Sequence, residues 1–328
     1  MQNKFIGLIG TGYWGKNLLR NLNSLGVLEG CYDSSADELK ELSNKYPEIS
    51  FFNNLDGFLN NKNIRAVCIA TPAATHGDIV IKALNAGKHV FVEKPMCLDI
   101  SQAEKIIKLS EKLNLKLMVG HLLLYHPAFI AISRIIKEGR LGKLRYLYST
   151  RLSLGKFRKE ENALWSFAPH DISMILSLVE DEPLTVNAFG GSYLSDSIAD
   201  TSITMLKFPS NIRAHIFVSW LHPYKDQRLI VIGDKAMAVF QDTIPGSEKL
   251  MIYKHTAKWD GDLPLIEKAK GEPIFYDQDL EPLKEECKAF IDLVENNKIP
   301  LSDGHEGLRV LKVLKKADSD LKKREKNV

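Results

Sequence analysis

A glycine-rich run near the amino terminus has residue types and spacing that suit dinucleotide binding. Residues 10–15 read Gly-Thr-Gly-Tyr-Trp-Gly, which fits G-x-G-x-x-G, and they lie between an apolar strand pattern and a helical pattern. Gly10 permits a tight turn, Gly12 lets the backbone approach a diphosphate, and Gly15 allows close packing of helix on strand. The diphosphate would lie at the positive end of the helix. The alternative is a glycine-rich turn that binds nothing.

An acidic residue follows this run at the spacing that dinucleotide-binding folds use. Asp33 ends the second predicted strand, about 20 residues beyond the glycines, where a carboxylate can accept hydrogen bonds from ribose hydroxyls. Its charge would repel a 2′-phosphate, and no Arg or Lys follows it in residues 34–36. The sequence therefore favours NAD over NADP. A turn aspartate that caps the next helix is the alternative interpretation.

A lysine stands where an open parallel sheet binds its ligands. The fifth predicted strand ends in Glu93-Lys94-Pro95, at the carboxyl edge of the sheet. The ammonium of Lys94 can point at a substrate hydroxyl, and partial burial would lower its pKa toward a catalytic range. By itself such a triplet is more typical of a solvated strand end.

The elements that must position these residues alternate between strand and helix. Strands are predicted at Phe5–Ile9, Val27–Tyr32, Ser50–Phe52, Ala66–Ala70, His89–Glu93 and Leu117–Gly120, and helices at 13–25, 37–45, 75–86 and 101–114. This alternation predicts an α/β fold, a doubly wound parallel sheet of the Rossmann type. We place this domain at residues 1–122.

After residue 122 the pattern changes to runs of strands with few helices. Strands are predicted at Leu144–Leu152, Val186–Gly191, Thr201–Phe208, Ile212–Leu221, Arg228–Gly233 and Ala236–Gln241, and helices at 127–138, 170–179, 281–296 and 305–321. Such runs indicate an α+β domain with a large, mainly antiparallel sheet. Residues 123–328 are therefore predicted to form a second domain that binds substrate and mediates oligomerisation.

The composition fits an ordinary globular protein and names no partner. The 328 residues include 45% hydrophobic and 26% charged side chains, and 44 basic against 41 acidic residues give a net charge of +3. No broad positive field favours nucleic acid, and no apolar run approaches the roughly 20 residues that span a bilayer. A cytoplasmic location is expected. The 4 cysteines lack metal-ligand spacing, so we expect buried, reduced thiols and no metal.

The order of these motifs resembles the Gfo/Idh/MocA oxidoreductases over essentially the whole chain. The resemblance rests on the glycine-rich run, on Thr71-Pro72 with His76, and on Glu93-Lys94-Pro95. It implies NAD as cofactor and a lysine that contacts the substrate hydroxyl. The predicted cofactor contacts are Gly10, Gly12, Tyr13, Trp14, Gly15, Asp33, Thr71, Pro72, His76, Glu93 and Lys94.

The resemblance also implies a catalytic histidine, which here is His170 within residues 165–171. An imidazole titrates near neutrality and can accept the proton of an alcohol while a hydride leaves, with Lys94 stabilising the alkoxide. Many members carry an aspartate four residues earlier, but this chain has Ser166. The group that orients His170 is then Asp171, a backbone carbonyl or the substrate, and a simple inositol or glucose dehydrogenase is disfavoured.

Residues 156–171, 12–15 and 120–127 resemble one branch of the family, the nucleotide-sugar 3-dehydrogenases that oxidise UDP-N-acetylglucosaminuronic acid. This implies a 3-keto sugar for surface polysaccharide such as O-antigen, 2-oxoglutarate as a possible hydride acceptor, and a homotetramer packed through the second-domain sheets. Arg158 and Asn162 are the predicted substrate contacts besides Lys94 and His170, since Arg can bind a carboxylate or phosphate bidentately.

Two other functions are compatible with the same residues. One is a UDP-N-acetylglucosamine 3-dehydrogenase that serves lipid A synthesis. The other is a sugar sensor that binds NAD without catalysis, which the presence of both Lys94 and His170 disfavours.

Overall fold

A computed structural model describes residues 4–155 and 157–325 of the chain. Strands and helices alternate up to Gly120, as predicted, and a 3₁₀ turn follows at Leu122–Tyr125. The elements are β1 (Ile6–Ile9), α1 (Gly15–Ser24), β2 (Leu28–Tyr32), α2 (Ala36–Lys45), β3 (Ser50–Phe52), α3 (Leu55–Leu59), β4 (Ala66–Ile69), α4 (Ala73–Asn85), β5 (His89–Glu93), α5 (Ile100–Lys112) and β6 (Leu117–Gly120).

The rest of the described chain is rich in strands and ends in two helices. Its elements are α6 (Pro127–Lys137), β7 (Leu144–Leu154), α7 (Ala163–Val179), β8 (Thr185–Gly191), β9 (Thr201–Lys207), β10 (Arg213–Ser219), β11 (Leu221–Gly233), β12 (Ala236–Gln241), β13 (Leu250–Asp260), β14 (Leu263–Lys268), β15 (Glu272–Pro273), α8 (Pro282–Asn296) and α9 (Gly304–Glu325), with a 3₁₀ turn at Ser247–Lys249.

The chain forms two compact units, and the division differs from the predicted one. The first unit contains residues 1–125 and 281–311, and the second contains residues 126–280 and 312–328. The predicted boundary near residue 122 lies close to the first crossing. However, the chain returns to the first unit at Glu281, so residues 123–328 are not one continuous domain. Helix α8 carries an apolar face that packs against α1 and the 3₁₀ turn at 122–125.

The first unit is built on a parallel sheet with the strand order β3-β2-β1-β4-β5-β6. Every residue of β1, β4 and β6 is buried, as expected of strands covered by helices on both faces. The order reverses between β1 and β4, and open α/β sheets bind ligands beyond the carboxyl ends of the strands at such a point. The predicted Rossmann arrangement is confirmed.

The second unit contains a nine-stranded sheet that runs β14-β13-β12-β11-β7-β10-β9-β8, with β15 beside β13. Its strands pair antiparallel except for β7 and β10, which are parallel. The predicted mainly antiparallel sheet is therefore confirmed. Helix α7 packs against β7, β9 and β10 and covers one face of the sheet.

Helix α7 begins earlier than the sequence predicts. The prediction placed the start after a proline, but that proline lies inside the helix. The prediction started the helix at residue 170, directly after Pro169, but α7 begins at Ala163. Asn162 caps it, since its side-chain oxygen accepts a hydrogen bond from Trp165 N at 3.1 Å. Pro169 lacks an N–H, so the helix has one backbone hydrogen bond fewer just before His170.

An exposed hairpin of β13 and β14 was missed by the sequence analysis. The two strands are joined at Asp260-Gly261-Asp262, and Gly261 adopts a positive φ of 58°. An Asp-Gly pair between strand patterns is a hairpin signal. Charged and apolar residues are interleaved in this segment and all of β14 is exposed, so the pattern lacks the buried face by which strands are recognised.

The cysteines, the helix lengths and the possible metal ligands of the described chain bear on three further expectations. Cys31, Cys68, Cys97 and Cys287 are buried and free, as predicted. Among residues 4–155 and 157–325 no helix has the length and apolar character needed to cross a bilayer. The same residues contain no cluster of His, Cys, Asp or Glu that could hold a metal ion.

A buried ion pair anchors α7 to the sheet of the second unit. Asp171 is fully buried, and its carboxylate accepts hydrogen bonds from Nε of Arg151 at 2.8 Å and from its terminal nitrogen at 3.2 Å. Arg151 lies on β7 and is itself buried. A two-pronged contact of this kind fixes both position and rotation of the helix that carries His170.

We predict that Asp171→Asn lowers the free energy of unfolding by about 3 kcal/mol, because Arg151 then keeps a buried charge without an ionised partner. Urea unfolding followed by circular dichroism measures the loss. Glu272→Gln is the control, since Glu272 forms an exposed pair with Lys254 at 3.2 Å and should change stability by less than about 0.5 kcal/mol. Equal losses in the two variants would contradict the anchoring role.

Candidate active site

The glycine-rich turn joins β1 to α1 in a conformation that needs its glycines. Gly10 has a φ of 91°, and a Cβ there would lie 2.8 Å from the carbonyl oxygen of Ala70 at the end of β4. A Cβ on Gly15 would lie 2.0 Å from the carbonyl oxygen of Gly10. At Gly12 a Cβ would meet nothing within 4 Å. Gly10 and Gly15 therefore permit close packing, whereas Gly12 keeps the outer surface of the turn open.

Asp33 lies beside this turn at the carboxyl end of β2. Its Oδ2 accepts hydrogen bonds from the backbone N of Thr11 at 2.6 Å and from Oγ1 of Thr11 at 2.9 Å, and its Oδ1 accepts one from Ser35 N at 2.9 Å. Burial acts to raise the pKa of Asp33, but these hydrogen bonds outweigh it and hold the pKa below its ordinary value. The side chain is thus an ionised acceptor fixed next to the glycine-rich turn.

The end of β4 continues into Thr71 and Pro72, which lead into α4. His76 on α4 is buried, and its ring nitrogens lie 2.8 Å from the carbonyl oxygens of Pro95 and Thr71. Burial lowers the pKa of this imidazole, so it is neutral near pH 7. His76 was predicted to contact the cofactor. In the structure its ring lies between the loops that follow β4 and β5, and as a neutral ring it donates a hydrogen bond to one of the two carbonyl oxygens. Its contact with the cofactor stays a prediction.

The end of β5 carries Glu93 and Lys94 in different environments. Glu93 is buried, and its carboxylate accepts hydrogen bonds from the indole N–H of Trp14 and from the backbone N of Lys94 at 3.3 Å. Glu93 is thus linked to the glycine-rich turn, and its direct contact with the cofactor stays a prediction. Lys94 is half-buried, precedes a cis peptide bond to Pro95, and lies at the carboxyl edge of the sheet as predicted.

A histidine to which the sequence analysis gave no chemical role lies next to Lys94. His121 directly follows β6, and Glu93 pairs with Gly120 in the register of β5 and β6. Burial, together with the charge of Lys94, lowers the pKa of His121 to about 3, so the imidazole is neutral. Lys94 thus lies within the electrostatic reach of a neutral ring and of the Glu93 carboxyl group.

The second unit carries the predicted base, His170, on α7. The residue is partly exposed and follows Pro169, while Ser166 one turn earlier is buried. Asp171 was one candidate for orienting the imidazole. Its carboxylate is engaged by Arg151, so it holds the helix instead.

The loop before α7 contains the remaining predicted substrate contacts. Arg158 is exposed and forms an ion pair with Glu161 at 3.1 Å. Asn162 uses both ends of its amide inside the protein: the oxygen caps α7, and the nitrogen donates to Oδ1 of Asp318 at 3.0 Å. Asn162 thus caps α7, and its contact with substrate stays a prediction. Lys156, two residues before Arg158, lies outside the described residues.

These observations fit a dinucleotide in the first unit. The open surface at Gly12 and the start of α1 suit a diphosphate, and the carboxylate of Asp33 stands where a ribose would be recognised. Tyr13 is 80% exposed beside the same turn and can flank a cofactor.

Comparison with known proteins agrees with this geometry. The sequence profile described as "Oxidoreductase family, NAD-binding Rossmann fold" of the GFO_IDH_MocA group matches residues 4–121, and that of the GFO/IDH/MocA C-terminal domain matches residues 129–239. The chain belongs to the Gfo/Idh/MocA family. As predicted, it is an NAD-binding oxidoreductase by this membership.

Several relatives of this Gfo/Idh/MocA protein have named activities. It is 27% identical over 314 residues to UDP-N-acetylglucosamine 3-dehydrogenase of Acidithiobacillus ferrooxidans, with 93% of each chain covered. It is 25% identical over 319 residues to myo-inositol 2-dehydrogenase of Thermotoga maritima, covering 93% and 92% of the two chains. A solved structure of the Acidithiobacillus enzyme matches its fold with a TM-score of 0.86 at 24% identity, covering 99% of this chain and 100% of the other.

We predict that two alanine substitutions separate the roles of the glycines in this Gfo/Idh/MocA protein. Gly15→Ala should lower the melting temperature by several degrees and weaken NAD binding, because its Cβ meets a backbone oxygen. Gly12→Ala should leave the melting temperature nearly unchanged and weaken NAD binding at least about tenfold, because its Cβ projects where the diphosphate approaches. Thermal melts and fluorescence titration with NAD provide the two readouts. Full NAD affinity in Gly12→Ala would rule out this placement of the diphosphate.

Proposed function

We propose that the protein oxidises the C3 hydroxyl of a UDP-sugar to a ketone, with NAD as the hydride acceptor. The observation that carries the proposal is Lys94, which stands at the carboxyl edge of the sheet directly after the buried Glu93 and within the electrostatic reach of the neutral His121. Its similarity to a UDP-N-acetylglucosamine 3-dehydrogenase over 93% of both chains supports the substrate class.

In this proposal Lys94 acts on the oxygen of the reacting carbinol. Its ammonium donates a hydrogen bond to the hydroxyl and stabilises the negative charge that develops as the proton leaves. The neighbouring Glu93 and His121 keep this role electrostatic: the carboxyl favours the charged lysine, and the neutral ring adds no competing positive charge. Bound NAD would supply the acceptor for the hydride of the carbinol carbon.

His170 is the proposed base that removes the hydroxyl proton. Its helix is fixed to the sheet through Asp171 and Arg151, which limits the rotation of the imidazole about the helix axis. Its partial exposure lets the proton pass on to solvent.

The substrate we favour is UDP-N-acetylglucosamine, with UDP-N-acetylglucosaminuronic acid as the second candidate. The similar Acidithiobacillus protein carries the first activity in its name. The second candidate rests on Arg158, whose guanidinium could bind a C6 carboxylate. Because Arg158 is already paired with Glu161, such a carboxylate would have to compete with that residue. In either case an amino-group transfer to the 3-keto product would yield a 3-amino sugar for lipid A or a surface polysaccharide.

The proposal extends to the oligomeric state and to the acceptor that reoxidises NADH. The open face of the nine-stranded sheet exposes Tyr146, Phe189, Ile203 and Met205, and an apolar face of this kind is typical of subunit contacts. This supports a subunit contact through the sheets, and we propose that the protein is a cytoplasmic homotetramer. We further propose 2-oxoglutarate as the acceptor that regenerates NAD from NADH.

We predict that the purified protein forms NADH and a keto sugar from UDP-N-acetylglucosamine, and that deuterium at C3 is transferred to the cofactor. Mass spectrometry of both products, with and without 2-oxoglutarate, measures reaction, position and turnover together. UDP-N-acetylglucosaminuronic acid is tested in parallel, with Arg158→Gln as the matched variant. If UDP-N-acetylglucosaminuronic acid is the true substrate, it is turned over faster than UDP-N-acetylglucosamine. Arg158→Gln then slows the turnover of the acid and leaves that of the uncharged sugar unchanged. Absence of NADH with both sugars would contradict the proposed function and favour a non-catalytic sensor.

A further inference from the structure

A second buried carboxyl group lies close to Glu93. Glu286 on α8 has no exposed surface, and it occupies the apolar face of the helix with Leu283, Cys287 and Phe290. Phe290, one turn further along, contacts Phe91 of β5 with ring centroids 5.7 Å apart. This contact brings α8 against the strand that ends in Glu93, and each carboxyl group lies within the electrostatic reach of the other.

The two carboxyl groups differ in the hydrogen bonds available to them. Glu93 accepts hydrogen bonds from the indole N–H of Trp14 and from the backbone N of Lys94. Its Oε2 also packs closely on Gly120, since a Cβ there would lie 3.0 Å away. Within the described chain, neither oxygen of Glu286 has a hydrogen-bond partner. An ionised carboxylate without donors in such a place is strongly disfavoured. Burial raises the pKa of Glu93 to about 7, but its two hydrogen bonds and the charge of Lys94 act to lower it, whereas no described residue lowers the pKa of Glu286. Glu93 is therefore the member suited to carry charge, and Glu286 the member suited to stay neutral.

The other ionisable groups around the pair do not compensate a second negative charge. Burial raises the pKa values of Cys68, Cys287 and Tyr125, and these groups are neutral near pH 7. Burial and Lys94 keep His121 neutral. Positive charge comes from Lys94, next to Glu93, while Arg20 is bound to Glu281.

We propose that Glu286 is a positioning residue that carries the one proton of a Glu93–Glu286 pair, so that Glu93 stays ionised and holds Trp14 and Lys94 in place. Two carboxyl groups in one buried site cannot both ionise without a large electrostatic cost. The proposed function enters this inference only through the role of Lys94.

The proposal makes stability depend on pH in a defined direction. Burial, together with the charge of Glu93, raises the pKa of Glu286 well above its ordinary value. The unfolded chain then loses this proton at a lower pH than the folded chain does. Stability therefore falls as the pH rises from the ordinary glutamate value toward the folded value. Glu286→Gln is neutral at every pH and removes this loss.

The test compares the wild type, Glu286→Gln and a matched control without substrate or cofactor. Glu285→Gln is the control, because Glu285 is the neighbouring residue and its carboxylate pairs with Lys288 at 2.7 Å. Between pH ~5 and ~9 the melting temperature of Glu286→Gln should rise relative to the wild type by about 2 °C or more, and that of Glu285→Gln should not. Parallel curves for all three proteins would overturn the proposal.

Infrared spectroscopy locates the proton directly. The C=O stretch of a protonated carboxylic acid should be present in the wild type at neutral pH, retained in Glu285→Gln and Glu93→Gln, and lost in Glu286→Gln. A band lost in Glu93→Gln and retained in Glu286→Gln would place the proton on Glu93. Should Glu286→Gln fail to fold, the absence of the band from the wild type at neutral pH would still refute the proposal.

The positioning role has its own readout in cofactor binding. As the pH rises and Glu286 loses its proton, repulsion should loosen the contact between Glu93 and Trp14. NAD affinity of the wild type should then fall at least about threefold across the range in which the melting curves diverge, and that of Glu286→Gln should stay flat. The same fall in both proteins would reject the role. These measurements need no sugar, so they remain informative if the UDP-sugar assay fails.

Discussion

The first unit depends on the close approach of backbone segments at the carboxyl edge of its parallel sheet. The turn after β1 must pass against the end of β4, which Gly10 allows, and α1 must start directly on that turn, which Gly15 allows. The carboxyl group of Glu93 then ties Trp14 of this turn to the end of β5. One set of contacts therefore fixes both the cofactor surface and the lysine proposed to act on substrate.

Charge is distributed unevenly over this edge, and the distribution suits oxidation of an alcohol. Asp33 is held ionised by hydrogen bonds, Lys94 supplies positive charge, and the two imidazoles of His76 and His121 are kept neutral by burial. In the second unit, the ion pair of Asp171 with Arg151 fixes the helix that presents His170. Each unit thus fixes the segment that carries a residue proposed to react by means of buried polar contacts.

Much of this could be predicted from sequence, because strands buried on both faces and glycines with fixed spacing leave clear patterns. The glycine-rich turn, Asp33 and Lys94 were located in this way. Two internal contacts, those of His76 with the carbonyl oxygen of Pro95 and of Asn162 with Asp318, could not be predicted because the partners are distant in sequence. Glu286 was missed, although an acid between Leu283 and Phe290 on an apolar helix face is a detectable signal. The start of α7 was placed too late because Pro169 lies inside the helix. The hairpin of β13 and β14 was missed because it has no buried face that would give an alternating pattern.

The central proposal is that Lys94 and His170 act on the same carbinol. The most direct test is a double-mutant cycle on the rate of NADH formation, using Lys94→Ala, His170→Ala and the combined variant. Each single change should slow the reaction at least about a hundredfold while NAD still binds. If both groups stabilise one transition state, the combined variant should be no more than about tenfold slower than the worse single variant. Losses that multiply fully would show that the two residues act independently and would contradict the account.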